Sequence, residues 1–192
     1  MSSAPAAVGV EDSRDAVGSA ARHAELAPAA TRRRELVWQD PLDSLARLAG
    51  LTGIEQMQAI MDSDVPPPPI AVLMRMAPVE LAEGRVAFRG EPSEEHYNPI
   101  GTVHGGYAAT LLDTVLGCAV QTTLAPGEAY TTQSLEAKMV RPITRETGPV
   151  VGTGEVAHRG RRQATATAEI RAEASGKLLA HGTSTLMILG SR

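Results

Sequence analysis

The chain predicts an α+β fold, an antiparallel sheet of five or six strands wrapped around one long central helix. Three observations predict it. Residues 106–122 form the one apolar stretch long enough for a central helix. Most of the chain after it alternates with a period of two, the mark of strands with one buried and one wet face. The inward set of the longest alternation, Ala164, Ala166, Ala168, Ile170 and Ala172, is almost all alanine. A sheet face that small lets something bulky lie close, and the apolar helix is the element available to do so.

Composition bounds the reading. The 192 residues suffice for one domain of ordinary size. With 18 basic against 22 acidic residues the net charge is −4, which argues against a nucleic-acid partner. The single cysteine, Cys118, excludes an internal disulfide framework and fits a reducing compartment, so a cytoplasmic location is expected. The longest apolar run contains Asp113 and is too short for a membrane span. The start, MSSAPAAVGVEDSRDA, has early acidic residues and no compact apolar centre, so no secretory signal is expected.

Taken in order, residues 1–35 are rich in Ala, Ser, Pro, Gly and mixed charge and are expected to be a disordered tail, with Arg32-Arg33-Arg34 a solvated charge run. Residues 36–65 read as a helical segment. Leu42, Leu45, Leu48 and Ala49 repeat at helical spacing, and Ile54, Met57, Ile60 and Met61 repeat again. Pro66 to Pro69 then act as a stiff spacer. The remainder, 66–192, reads as the main domain. Val79 and Leu81 alternate before Glu83-Gly84, and Val86 and Phe88 after it, which predicts a hairpin. A loop over 91–105 feeds the helix. Strands follow around 135–139, 150–156, 164–172 and 183–189, with a turn at Gly176.

The most informative stretch is NPIGTVHGGYAATLLD, from Asn98 to Asp113. Gly105 and Gly106 stand where the helix begins, and unpaired N–H groups there can serve an anion or a carbonyl turning tetrahedral. Asp113 is a carboxylate inside an apolar helix, which costs free energy unless something compensates it. It lies seven residues beyond Gly106, roughly 10 Å along the axis at about 1.5 Å per residue. One chain cannot easily bring both to a single reacting centre, so the spacing suggests a site completed by another subunit. Asn98 before Pro99 has an Asx-turn as its default role. The ordered combination of Asn98, His104-Gly105-Gly106 and Asp113 is what points to chemistry. The five histidines are scattered, so no metal-ligand cluster is visible.

HYNPIGTVHGGYAATLLDTVLGCAV resembles the loop-and-helix signature of the PaaI-like branch of the hotdog-fold thioesterases, with Asn six residues before His and the acid nine after it. TTQSLEAKMVRPI, EVAHRGRRQATATAEI and SGKLLAHGTSTLMIL resemble the strands that follow in that family, so the likeness covers about 66–189. The resemblance implies a hotdog fold and hydrolysis of an acyl-CoA thioester, with no cofactor, since coenzyme A is part of the substrate. It makes Asp113 the catalytic carboxylate, as general base or as nucleophile. The Gly106 N–H would polarise the carbonyl, with Gly105 beside the substrate. Asn98 would orient water or substrate, and His104 would hold the loop or contact the carbonyl. Thr132 would assist the acid, with Thr131 as the neighbouring alternative.

It further implies a homodimer with the site at its interface, two such dimers forming a tetramer. His158, Arg159, Gly160 and Arg161, with Arg162 after them, are the candidates to meet the phosphates of coenzyme A. Tyr107, Leu111, Leu116 and the alanine-rich sheet suggest a pocket for an aryl or medium aliphatic acyl group. The competing readings are a hotdog dehydratase or hydratase and a non-catalytic acyl-CoA-binding hotdog protein.

Overall fold

The computed structural model describes residues 30–190. The chain divides into Met1–Glu35 and Leu36–Arg192. Of the expected tail, 1–29 lie outside the described residues, and 30–35 are exposed and without regular structure. The second unit runs α1 (Pro41–Leu48), α2 (Gly53–Met61), α3 (Pro69–Met74), β1 (Met76–Ala82), β2 (Arg85–Gly90), α4 (Gly105–Gln121), β3 (Ala129–Met139), β4 (Val150–Arg159), β5 (Gln163–Ala172) and β6 (Leu178–Leu189).

Local chemistry sets the helix starts. Asp40 accepts the Leu42 N–H at 2.9 Å, with Pro41 at the first position of α1. Thr52 and Glu55 form a reciprocal capping box on α2. Helix α3 departs from the expected proline spacer. Pro69 stands in its first turn, where a missing N–H costs nothing, and Arg75 ends it in the left-handed region at φ 51°. Helix α2 ends earlier, at Met61 with Asp62 as its C-cap and Ser63 at φ 66°, so proline starts α3 without being what stops α2.

All six strands pair antiparallel in the order β1-β2-β4-β5-β6-β3. Helix α4 lies across one face, and its Leu112, Val115, Leu116, Ala119 and Val120 are fully buried. Each large apolar side chain so enclosed contributes about 1.5–3 kcal/mol. The alternation read in β5 holds, with Ala164, Ala166, Ala168, Ile170 and Ala172 all buried. Gly154 on β4 takes the approach to its limit, because a Cβ there would press into the Val115 carbonyl of α4.

β3 differs from its expected half-buried character. Among the described residues it is the last strand of the sheet, paired only with β6, and it begins at Ala129 rather than near 135. Leu135 is 37% exposed and Met139 49%. Alternation in a sequence says which residues share a face but not that anything covers it. A bulge between Thr132 and Ser134 interrupts the β3–β6 register.

Tyr107, in the first turn of α4, is buried at 3% exposure, and its hydroxyl has no partner among the described residues. Burial pushes the phenol up to about 12. The ring fits because Gly90 lacks a side chain; a Cβ there would stand 2.5 Å from the hydroxyl oxygen. Gly90→Ala is therefore expected to cost about 2 kcal/mol by overpacking. The loss should largely disappear in a Tyr107→Phe background, where the obstructing oxygen is gone. Urea denaturation of the two single variants and the double variant measures it, and simple additivity would contradict this contact.

Candidate active site

The carboxylate of Asp113 is half-buried on the flank of α4 that faces β3, and Thr132 Oγ1 donates to its Oδ1 at 3.0 Å. The bulge at Gln133 is what aims Thr132 this way. Thr131, the sequence alternative, makes no such contact. The surroundings register the charge: burial first, and the charge of Asp113 second, push the Cys118 thiol up to about 12. Burial, then Cys118 and Asp113, likewise raise the Tyr130 phenol.

At the start of α4, His104 is the N-cap. Its Nδ1 accepts the Gly106 N–H at 2.8 Å. The Gly106 N–H, expected to face a carbonyl, is engaged by this bond within its own chain. The Gly105 N–H, one residue earlier, has no acceptor among the described residues. Gly105 lines a groove of about 280 Å³ together with Asn98, His104, Ala108, Met139, Ile143 and Leu179, among others. Asp113 does not line this groove. The structure thus brings Asp113 to Thr132 and Gly105 to Asn98 and His104, but it does not bring the two groups together within one chain. A larger groove, about 510 Å³, lies beside α2, α3 and β1 and includes none of the expected site residues.

Asn98 is engaged inside its own loop. Its Oδ1 accepts the Ile100 and Thr102 N–H groups at 3.1 and 3.2 Å, and its Nδ2 donates to Thr102 Oγ1 at 3.0 Å. This is the Asx-turn that the residue type favours. One Nδ2 hydrogen remains for anything that enters the groove.

The β4–β5 turn divides its cations. Arg159 donates to Glu128 Oε2 at 2.8 Å and to the Gly160 carbonyl, so it holds the turn rather than facing a ligand. The Ala125 N–H, and after it Arg159, hold the Glu128 carboxyl below the usual carboxylate range against the effect of burial. His158, Arg161 and Arg162 are exposed, and neither of these arginines meets an acidic partner among the described residues. Gly160 closes the hairpin by giving its N–H to the Gln163 carbonyl at 2.9 Å. Glu128 was not foreseen as part of this cluster; it lies 31 residues from Arg159, and no local pattern links them.

Among the described residues no group of three or more His, Cys, Asp or Glu is placed to hold a metal ion, and no helix is long and apolar enough to cross a membrane.

With this geometry in place, comparison with known proteins is informative. Residues 100–179 match the family model described as the thioesterase superfamily. The chain is similar to the acyl-coenzyme A thioesterase 13 of Homo sapiens, 34% identical over 119 residues, which are 59% of this chain and 80% of that protein. A phenylacetic acid degradation-related protein from Ralstonia eutropha superimposes with a TM-score of 0.63 at 26% identity, over 68% of this chain and 98% of its own. The PaaI protein of E. coli superimposes with a TM-score of 0.63 at 19% identity, over 72% of this chain and 95% of its own, a likeness in fold.

Arg159→Ala is expected to lower stability by about 1 kcal/mol, while Arg161→Ala leaves the melting temperature unchanged. Glu128 titrates lower in the folded chain than unfolded. Its contribution is therefore present above the usual carboxylate range and lost as pH falls through its folded value. The difference between the two variants should shrink in acid, as thermal denaturation across pH would record.

Proposed function

The chain belongs to the thioesterase superfamily, and from that premise we propose that it hydrolyses acyl-CoA thioesters at a site shared between two copies, with Asp113 as the catalytic carboxylate. The observation that carries this reading is the separation of two prepared halves, the Asp113–Thr132 pair and the free Gly105 N–H. They stand eight residues apart on one rigid helix, roughly 12 Å at about 1.5 Å per residue.

The free edge of β3 supports the pairing. Gly105 lies beside Met139, at one end of that strand, and Asp113 beside Thr132, toward the other. Two β3 edges joined antiparallel about their middle would set the Gly105 end of one copy against the Asp113 end of the other. Two such dimers forming a tetramer, and a cytoplasmic setting suggested by the lone Cys118, complete the proposal.

In this mechanism Asp113 is a general base, a role that needs only hydrogen-bond reach through one water. The thioester carbonyl oxygen accepts the Gly105 N–H of the second copy. Asp113 takes a proton from water as the water oxygen attacks the carbonyl carbon, and Thr132 holds the carboxylate in place. Negative charge builds on the carbonyl oxygen, where the helix start and the Gly105 N–H stabilise it. The intermediate collapses by breaking the C–S bond, and the proton held by Asp113 passes to the leaving sulfur. Products are the free acid and coenzyme A. Arg161, Arg162 and His158 remain for the phosphates, since Arg159 is committed to Glu128.

A panel of short, medium, long and aromatic acyl-CoAs, assayed by thiol release, tests the activity. Hydrolysis by the wild type with a loss of at least about 10²-fold in Asp113→Asn is expected. Silence of a folded, dimeric wild type would favour a non-catalytic acyl-CoA-binding protein. Gly105→Pro deletes the N–H at a helix position that suits proline, because His104 is already extended (φ −60°, ψ 138°), and should cost about 10²–10³ in kcat. Mixing Asp113→Asn with Gly105→Pro and allowing subunits to exchange should restore activity, because each mixed dimer regains one intact site. No recovery would contradict the shared site.

A further inference from the structure

Between β2 and α4 a buried imidazole stands apart from the proposed chemistry. His96 has a side chain only 9% exposed. Its Nδ1 accepts the Ser93 N–H at 3.0 Å, so the ring proton resides on Nε2. That Nε2 is buried and has no hydrogen-bond partner among the described residues; the nearest carboxylate oxygen, on Glu95, is 3.9 Å away. The ring packs against Tyr107 with centroids 4.8 Å apart and planes tilted by 58°. A polar ring held in such a place with one nitrogen unused costs free energy that a phenyl ring would not.

What the ring gains is visible in the backbone it governs. The His96 carbonyl accepts the His104 N–H at 2.8 Å. Tyr97 and Val103 form an isolated bridge just inside that contact, and the Asn98 N–H reaches the Thr102 carbonyl at 2.8 Å. His96 therefore stands at the root of the loop whose far end is the helix cap. Its Nδ1 holds the entering segment through Ser93, its carbonyl holds the exit through His104, and its ring rests on the first turn of α4 through Tyr107. The Val103 N–H, bonded to the Ile143 carbonyl at 2.9 Å, ties the same exit to the rest of the domain. Asn98 shapes the tip.

We propose that His96 is a positioning residue for the site, holding the 91–105 loop so that the Gly105 N–H stands ready for the carbonyl. The role in catalysis rests on the thioesterase reading above; the role in holding the loop does not. The acceptor nitrogen, rather than ring bulk, performs the function. His96→Phe keeps the packing on Tyr107 and removes the acceptor. His96→Asn loses the ring but places a carboxamide oxygen near the position of Nδ1.

The experiment pairs steady-state kinetics on the best acyl-CoA with amide hydrogen exchange on the full chain. His96→Phe should lower kcat by about 10²-fold, since a small misplacement of an oriented group is that costly. Its KM should stay within about threefold of wild type, because the misplaced donor acts chiefly in the transition state. Exchange at the Ser93 and His104 amides should quicken. His96→Asn should recover most of the lost kcat and of the protection at both amides. Wild-type kcat in His96→Phe, or equal losses in the two variants, would overturn the proposal. If the wild type hydrolyses no acyl-CoA, the thioesterase reading falls, and the exchange at Ser93 and His104 alone decides whether His96 holds the loop.

Discussion

How closely α4 can lie against its sheet determines everything downstream of it. The distance is set by side chains that are missing: Gly154 faces the Val115 carbonyl, and β5 offers the helix Ala164, Ala166 and Ala168. A helix seated this way cannot roll. Leu112, Val115, Leu116 and Ala119 have no exposed surface, and turning the helix by one residue, about 100°, would bring that stripe into water. Asp113 follows Leu112 directly and so lies at the border of the buried stripe, on the side of β3. The cost of a carboxylate in an apolar helix is limited by that placement and by the Thr132 hydroxyl.

Rigidity also divides the site. A straight helix holds its first N–H groups and its middle residues at a fixed separation, and no local adjustment brings Gly105 to Asp113. The proposed symmetric dimer solves this without bending anything, because an antiparallel pairing exchanges the two ends of an edge strand. An uncovered edge bearing Leu135, Met139 and Val140 is ordinarily an aggregation hazard. In the proposed dimer the same edge is where the second half of the chemistry arrives.

Much of this was legible in the sequence, for physical reasons that differ by element. The central helix, the 76–90 hairpin and β5 are written in local periodicity, which depends on little beyond each segment. Helix α3 was hidden because prolines mark helix starts as well as stops. The exposure of β3 was hidden because alternation carries no information about what lies opposite. At the site, Asp113 stood out in the ordered motif and Thr132 came from the family resemblance, whereas the bulge beside Thr132 could not be read. The choice between the Gly105 and Gly106 N–H turns on the rotamer of His104, and the commitment of Arg159 turns on Glu128, far away in the chain. Contacts of that sort follow from tertiary packing and leave no periodic trace.

A donor helps a transition state only to the extent that it is held before the substrate arrives, because ordering it during the reaction would consume the stabilisation it gives. The loop before α4 meets this condition within one chain. Asn98 closes its tip with three side-chain hydrogen bonds, His96 and Ile143 anchor its exit, and His104 occupies the competing N–H. The acid half is equally complete, since the Asp113–Thr132 bond needs no second copy. Two preformed halves then require only that two strand edges align. Each is fixed to a rigid element rather than to a mobile lid, so in the proposed dimer the precision of the composite centre equals the precision of strand register. A slip of one residue along β3 would carry every side chain to the opposite face, which makes the register of that edge as consequential for the proposed catalysis as Asp113 itself.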